Sequence, residues 1–292
     1  MNLRLMSILI PGLRYSSHPA PVPVADRLTI AIEPQIPRRP TGVESRLGIR
    51  YRDGVRLDLV TPAAKGPHPL VVYVPGGGFV RAPRGMASRE RAFVAAAGYV
   101  VASVEYRTVR QSATVTDGLS DVRAAIDHLI DQAGTYGIDP DRIGVWGESA
   151  GGYLASVVGL SDPRIRAVVD EFGASDLSVA ADGFDEGMRS SLADPRHPIR
   201  RYRAAETNPV DLVRADSPAF LILHGDDDRI MPPAQTHALH RALRDAGADS
   251  TYHVLAGAGH GMMALDGRQE RQWTSVQVLT LITEFLERTL RS

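Results

Sequence analysis

Six short runs of almost unbroken apolar residues, each set apart by segments with helical periodicity, limit what this chain can become more than any other feature. They are Leu70–Val74, Tyr99–Val104, Arg142–Trp146, Arg166–Asp170, Phe220–Leu223 and Thr251–Leu255. A strand that is apolar on both sides has to be covered on both faces, and alternation with helices supplies that cover. Helices are expected at Arg89–Ala97, Asp117–Ala133, Ala150–Leu160, Ala234–Ala246 and Glu270–Arg291. In the last of these, Trp273, Val276, Leu279, Ile282, Leu286 and Leu290 recur at helical spacing and form one core-facing stripe. Ahead of the six runs, Asp53-Gly54 precedes an alternating segment, so the sheet is expected to start as an antiparallel hairpin. The expectation is an α/β chain whose mostly parallel sheet has eight strands and helices on both faces.

The 292 residues show no internal repeat and suit one three-layer domain. Residues 1–40 are proline-rich with an apolar head and read as an N-terminal arm that packs near the active site. The domain proper is expected over 41–292, with an insertion at about 175–217 that forms a small lid over the carboxyl ends of the strands. Basic and acidic residues number 33 and 34, are interspersed and leave a net charge of −1, which argues against nucleic acid or an anionic surface as partner. The absence of cysteine removes disulfides and thiolate chemistry. No run reaches membrane-spanning length. The apolar head Met1–Ile10 is cut off by Pro11-Gly12 and followed by a poor cleavage site, so a cytoplasmic location is expected, with secretion the less favoured reading.

Gly147-Glu148-Ser149-Ala150-Gly151-Gly152 lies between the apolar run ending at Trp146 and the helix-forming segment after it. A serine on so sharp a strand-to-helix turn, flanked by glycines that admit close backbone approach, reads as a nucleophile elbow. Downstream, Phe220–Leu223 runs into His224-Gly225-Asp226-Asp227-Asp228, and Gly257-Ala258-Gly259-His260 follows the last strand. Serine hydroxyl is a weak nucleophile at neutral pH and needs a histidine within reach, and the histidine in turn needs an anionic partner that fixes its tautomer. Serine, then aspartate, then histidine is the triad order found on α/β-hydrolase sheets.

These residues resemble the α/β-hydrolase superfamily, and within it the hormone-sensitive-lipase-like and feruloyl- or acetyl-esterase-like carboxylesterases. The resemblance spans roughly residues 45–290 and is carried further by Val71-Val-Tyr-Val-Pro-Gly-Gly-Gly-Phe79, Glu105-Tyr-Arg107 and Tyr136–Ile143. It implies Ser149 as nucleophile, His260 as general base and Asp228 as orienting acid, with Asp226 and Asp227 as competing assignments. It also implies an oxyanion hole from the backbone N–H groups of Gly77, Gly78 and Ala150. Pro75 stands where the family usually has histidine, so the glycine loop has to be held without that imidazole.

The implied activity is a serine carboxylic-ester hydrolase for small, short-acyl esters that works through an acyl-enzyme without metal or cofactor. Two other readings remain open: a tailoring enzyme of secondary metabolism that hydrolyses, eliminates or cyclises one complex substrate, and a non-catalytic ligand receptor. Phe79, Phe184, Tyr202, Met262 and Met263 are candidates for lining the substrate pocket, and homo-oligomerisation is left open. His237 and His240 lack a third ligand and read as a solvated helix face. His224 reads as a structural hydrogen-bonder, and Glu148 as a side chain behind the elbow.

Overall fold

In the computed structural model of the chain, the structure describes residues 28–33, 35–38, 40–178, 190, 193–194, 196, 207–261 and 270–291. The six apolar runs become β4 (His68–Val74), β5 (Val100–Val104), β6 (Ile138–Glu148), β7 (Ile165–Glu171), β8 (Ala219–Gly225) and β9 (Ser250–Leu255). The expected hairpin is β2 (Val43–Arg52) and β3 (Val55–Pro62). The described sheet has nine strands rather than the expected eight, in the order β1-β9-β8-β7-β6-β4-β5-β3-β2. The added one, β1 (Leu28–Ile30), lies inside the stretch read as an arm and pairs in parallel with β9. Two further residues of that stretch are tied down: Ile32 is buried, and the Gln35 carbonyl accepts a bond from Val276 N at 2.8 Å. Residues 1–27 lie outside the described residues.

Pairing is antiparallel for β2 with β3 and for β3 with β5, and parallel elsewhere. Along β4 the pleat sends Leu70, Val72 and Val74 to one core and Val71 and Tyr73 to the other. The first core is closed by α2 (Val115–Asp131), α4 (Ala150–Ser161) and α5 (Pro233–Asp245), and the second by α1 (Ser88–Ala96) and α7 (Val276–Leu290). The short helices α3 (Ala133–Tyr136) and α6 (Glu270–Trp273) complete the set of described α-helices. Helix α4 is apolar on nearly every side, as a helix enclosed by sheet and neighbours must be. Helix α2 starts on a reciprocal cap between Thr114 and Asp117.

The helix expected from Glu270 to Arg291 is broken in two, because Ser275 caps α7 by accepting the Val278 N–H through its side chain. The register aligns Val74 with Gly147, Glu148 with Glu171, and Gly225 with Leu255. The loops that follow β4, β6, β7, β8 and β9 therefore open at one end of the sheet, where ligands bind in open parallel sheets.

Candidate active site

Ser149 joins β6 to α4 with φ 54° and ψ −120°, a backbone conformation that non-glycine residues rarely adopt. Such a bend needs room. A Cβ on Gly147 would strike the Gly151 carbonyl, and one on Gly151 would strike the Val74 carbonyl at the end of β4. The Ser149 N–H donates to Glu171 O at 2.9 Å, which fixes the bend to β7. The residue is left partly exposed at the start of a buried helix.

His260 Nε2 lies 2.8 Å from Ser149 Oγ, and His260 Nδ1 lies 2.6 Å from Asp228 Oδ2. An ionised carboxylate only accepts, so Nδ1 carries the proton and Nε2 faces the hydroxyl as an acceptor. Asp228 Oδ1 accepts from Ile230 N at 2.8 Å and Met231 N at 2.9 Å, and His224 Nε2 lies 3.2 Å from Oδ2. Burial alone would push the Asp228 carboxyl up, but His260 and His224 outweigh it and hold the group well below the usual carboxylate range. Of the three candidate acids, the structure brings Asp228 to His260. Asp226 instead accepts from Gly257 N at 2.6 Å, and Asp227 pairs with Arg229 at 3.0 Å.

Gly76 to Gly78 follow β4 after Pro75, and the approach of Gly76 to Ser149 is so close that a Cβ on the glycine would meet the serine Cβ at 3.3 Å. Gly77 and Gly78 have φ of 146° and 60°, the second well inside the left-handed region. Ala150 is the first residue of α4, where the backbone N–H has no partner within the helix. The loop is held by other means than the imidazole that Pro75 replaces. Tyr106 Oη donates to Pro75 O at 2.9 Å, Val109 N to Phe79 O at 3.1 Å, and Thr108 Oγ1 to Val80 O at 3.1 Å.

Several participants went unread in the sequence. Phe172, with φ 44°, sets its ring edge-on to His260 at 4.8 Å and to Trp273 at 4.4 Å. Gly261 has to be glycine beside it, since a Cβ there would meet the Phe172 ring at 2.7 Å. Behind the elbow, Tyr73 donates to Glu148 Oε1, and Trp146 Nε1 donates to Glu171 Oε2 at 2.7 Å. Burial raises the pKa of both acids, that of Glu171 furthest because Glu148 adds to the effect. Burial also lifts Asp170 to about 7, against the pull of Gly173 N and Ser156 on its carboxylate. Asp228 is thus the strongest anion near Ser149. Glu148 was expected behind the elbow, but its partners look like ordinary strand positions, and only the tyrosine and tryptophan, each with one polar atom to satisfy, could have hinted at the network.

Phe79 is buried and packs edge-on against Tyr153 with ring centroids 5.7 Å apart. Phe184, Tyr202, Met262 and Met263 lie outside the described residues, as does most of the middle of the insertion expected at about 175–217. Both ends of that insertion are anchored: Ser175 N and Asp176 N donate to Gln235 Oε1 at 3.0 and 2.9 Å, and Tyr153 Oη to Thr207 O at 2.5 Å. The reading of His237 and His240 as a solvated face needs correction at the second position. His240 turns inward, bonded to Ser250 Oγ at 2.8 Å and stacked on Tyr252. Among the described residues, no group of His, Asp and Glu side chains is placed to hold a metal ion, and no helix is long and apolar enough to cross a membrane.

Comparison with known proteins agrees with this architecture. The chain is 29% identical over 261 residues to Esterase LipQ of Mycobacterium tuberculosis and 33% identical over 228 residues to Esterase LipC of the same organism. These matches take in 82% and 69% of this chain, while the chain spans 59% and 55% of those relatives' own lengths. Among solved structures, a truncated carbohydrate esterase from gut microbiota superposes with a TM-score of 0.73 at 23% identity, over 88% of this chain and all of that one. The likeness in shape establishes the α/β-hydrolase fold. The BD-FAE family model matches residues 57–243, well over half of the sequence and the greater part of the sheet, and the chain belongs to that family.

Proposed function

We propose that the chain is a serine carboxylic-ester hydrolase acting on small, short-acyl esters, with Ser149 as nucleophile, His260 as general base and Asp228 as orienting acid. One observation carries the reading: an unbroken hydrogen-bond relay of 2.8 and 2.6 Å that ends on a serine with φ 54°. The names of LipQ and LipC as esterases support the same reaction class. The short-acyl preference rests on the sequence resemblance.

In the proposed reaction, Ser149 Oγ attacks the acyl carbon of the ester while its proton passes to His260 Nε2. The imidazolium that forms keeps its Nδ1–H on Asp228, whose carboxylate stays ionised. The developing oxyanion is received by the N–H groups of Gly77, Gly78 and Ala150, each worth about 3 to 4 kcal/mol in the transition state. His260 then protonates the leaving alcohol. Water, deprotonated by His260, attacks the acyl-enzyme, and the acid leaves as Ser149 recovers its proton.

The test is hydrolysis of p-nitrophenyl esters from acetate to dodecanoate by the wild type and Ser149→Ala. Wild-type activity should peak at short acyl chains, and the variant should lose on the order of a millionfold in kcat. A variant within tenfold of wild type would remove Ser149 from the chemistry. A peak at dodecanoate would overturn the short-acyl assignment and leave the triad standing.

A further inference from the structure

At the edge of the sheet opposite β1, strand β2 and helix α1 enclose a groove of about 620 Å³. That lies within the roughly 300–1,000 Å³ usual for small-molecule sites. Val43, Leu47, Val60 and Pro40 give it an apolar wall, and Arg89 and Arg91 reach it from α1. None of its lining residues belongs to the Ser149 relay. Leu47 is 73% exposed, and Ile36, one residue before the groove-lining Pro37, is 44% exposed. They are the exposed large hydrophobics among the described residues, and Leu47 lines this concavity while Ile36 adjoins it in sequence.

Arg91 is only 3% exposed. Its Nε donates to Met86 O at 2.9 Å, one Nη donates to Arg84 O at 3.0 Å, and the guanidinium lies 5.9 Å from the centre of the Tyr73 ring. Among the described residues, no carboxylate stands within ion-pair distance of it, and burial pulls its pKa below the ordinary arginine value. Buried cations normally carry a paired anion. Here Arg91 is among the residues lining a groove, beside the exposed Arg89 and the start of α1, whose N-cap Ala87 offers no side-chain bond to the leading N–H groups. Glu90 is the acid in that first turn.

We propose that this groove is a binding site for an amphiphilic monocarboxylate, with its head on Arg91 and Arg89 and its aliphatic or aryl tail along Val43, Leu47 and Val60. A small polar anion would leave the apolar wall uncovered, and a neutral lipid would leave Arg91 with only Asp58 and Glu90 acting on it from beyond ion-pair distance. The inference concerns binding alone and stands whether or not Ser149 is a nucleophile.

Calorimetric titration of the full chain with decanoate, decanol and acetate tests it. Decanoate should bind saturably, and at least about tenfold more tightly than either control. Leu47→Asp, at an exposed position that unfolding cannot confuse, should weaken decanoate at least about tenfold, and Arg89→Ala severalfold. Arg91→Met should do the same if its thermal melt shows a folded protein, and the two surface variants decide the matter if it does not fold. Decanol binding as tightly as decanoate would reduce the groove to an apolar patch. Unchanged decanoate affinity in both surface variants would place the ligand elsewhere, and no saturable binding would refute the site. A dimer abolished by Leu47→Asp, without decanoate binding, would instead assign the groove to a second copy of the chain.

Discussion

Asp228→Asn offers the sharpest test of how the candidate site works, because the environment of that carboxylate leaves an amide no good choice. The wild-type group accepts through both oxygens, with Ile230 N and Met231 N on Oδ1 and His260 Nδ1 on Oδ2, while His224 Nε2, bonded to Met231 O at 2.9 Å, lies 3.2 Å from Oδ2. An amide can accept through one oxygen only. If its NH2 faced the two backbone donors, both would be left unsatisfied at a cost of about 1 to 3 kcal/mol each. The oxygen therefore stays with the backbone, and the NH2 turns toward His260. That forces the imidazole into the tautomer with its proton on Nε2, pointing at Ser149 Oγ and unable to take the serine proton. The expected loss is on the order of 10⁴ in kcat, about 5.5 kcal/mol of barrier. The variant should also lose about 1.5 to 3 kcal/mol of stability with the charge-assisted bond to His260. Because the folded-state pKa of Asp228 is depressed, that stability is fully present above the ordinary carboxylate range and drains away as pH falls below about 4. The difference in Tm between wild type and variant should therefore be full at neutral pH and shrink on acidification. Turnover of p-nitrophenyl acetate and thermal melts at several pH values read both effects, with Asp226→Asn and Asp227→Asn as controls expected to stay within severalfold of wild type. A folded Asp228→Asn enzyme with kcat within tenfold of wild type, or a larger loss in either control, would refute the reasoning.

Three other perturbations probe the support around the relay. Phe172→Leu removes the ring edge that meets His260 at 4.8 Å, and kcat should fall by about tenfold or more with little change in KM, since small displacements of a catalytic group are costly. A fall in Tm with unchanged kcat would make Phe172 a packing residue only. Tyr106→Phe takes the bond from Pro75 O, so stability should drop by about 1 to 2 kcal/mol and kcat should fall as the glycine loop loosens. Full activity in that variant would mean that Val109 and Thr108 hold the loop unaided. Asp170 has its pKa raised from 3.8 to about 7, so across that window the folded chain keeps a proton that the unfolded chain has lost. Wild-type stability therefore decreases as pH rises through it, by about 1.4 kcal/mol per unit at most. Asp170→Asn does not titrate and should gain in Tm on the wild type from pH 4 to 7, and melts with parallel pH dependence in the two proteins would contradict the buried-acid reading.

What the sequence disclosed and what it hid divide along physical lines. Parallel strands covered on both faces leave long apolar runs, so β4 to β9 were readable to within a few residues at each end. The candidates Ser149, Asp228 and His260 stood out because each follows such a run in an order few folds share. Strand β1 was not, because three residues, Leu28-Thr29-Ile30, are too few to show a period and their partner β9 lies more than two hundred residues away. The break at Ser275 was hidden by the apolar stripe, which in the sequence runs straight through it from Trp273 to Val276, whereas in the structure Val278 is buried and Val276 is half-buried. Residues that support the candidate site through space, such as Phe172 against His260 or Tyr106 on the Pro75 carbonyl, leave no local pattern at all.

The acids behind the elbow then acquire a reason. Holding Ser149 at φ 54° and ψ −120° costs on the order of 1 to 3 kcal/mol, and such strain persists only where the surroundings over-determine it. Here the Ser149 N–H is taken by Glu171 O, the Glu171 carboxyl is fixed by Trp146, and the neighbouring Glu148 carboxyl is fixed by Tyr73. Trp146 and Tyr73 in turn pack edge-on with centroids 4.9 Å apart, between β6 and β4. Burying two carboxyls so close together is unfavourable, and the raised pKa values of Glu148 and Glu171 reflect it. A purely apolar filling would avoid that cost, yet it would offer no directional contacts and would fix the bend less tightly. The network therefore trades stability for a serine held in one place, which the proposed reaction requires of a hydroxyl that has to meet both a histidine and an acyl carbon.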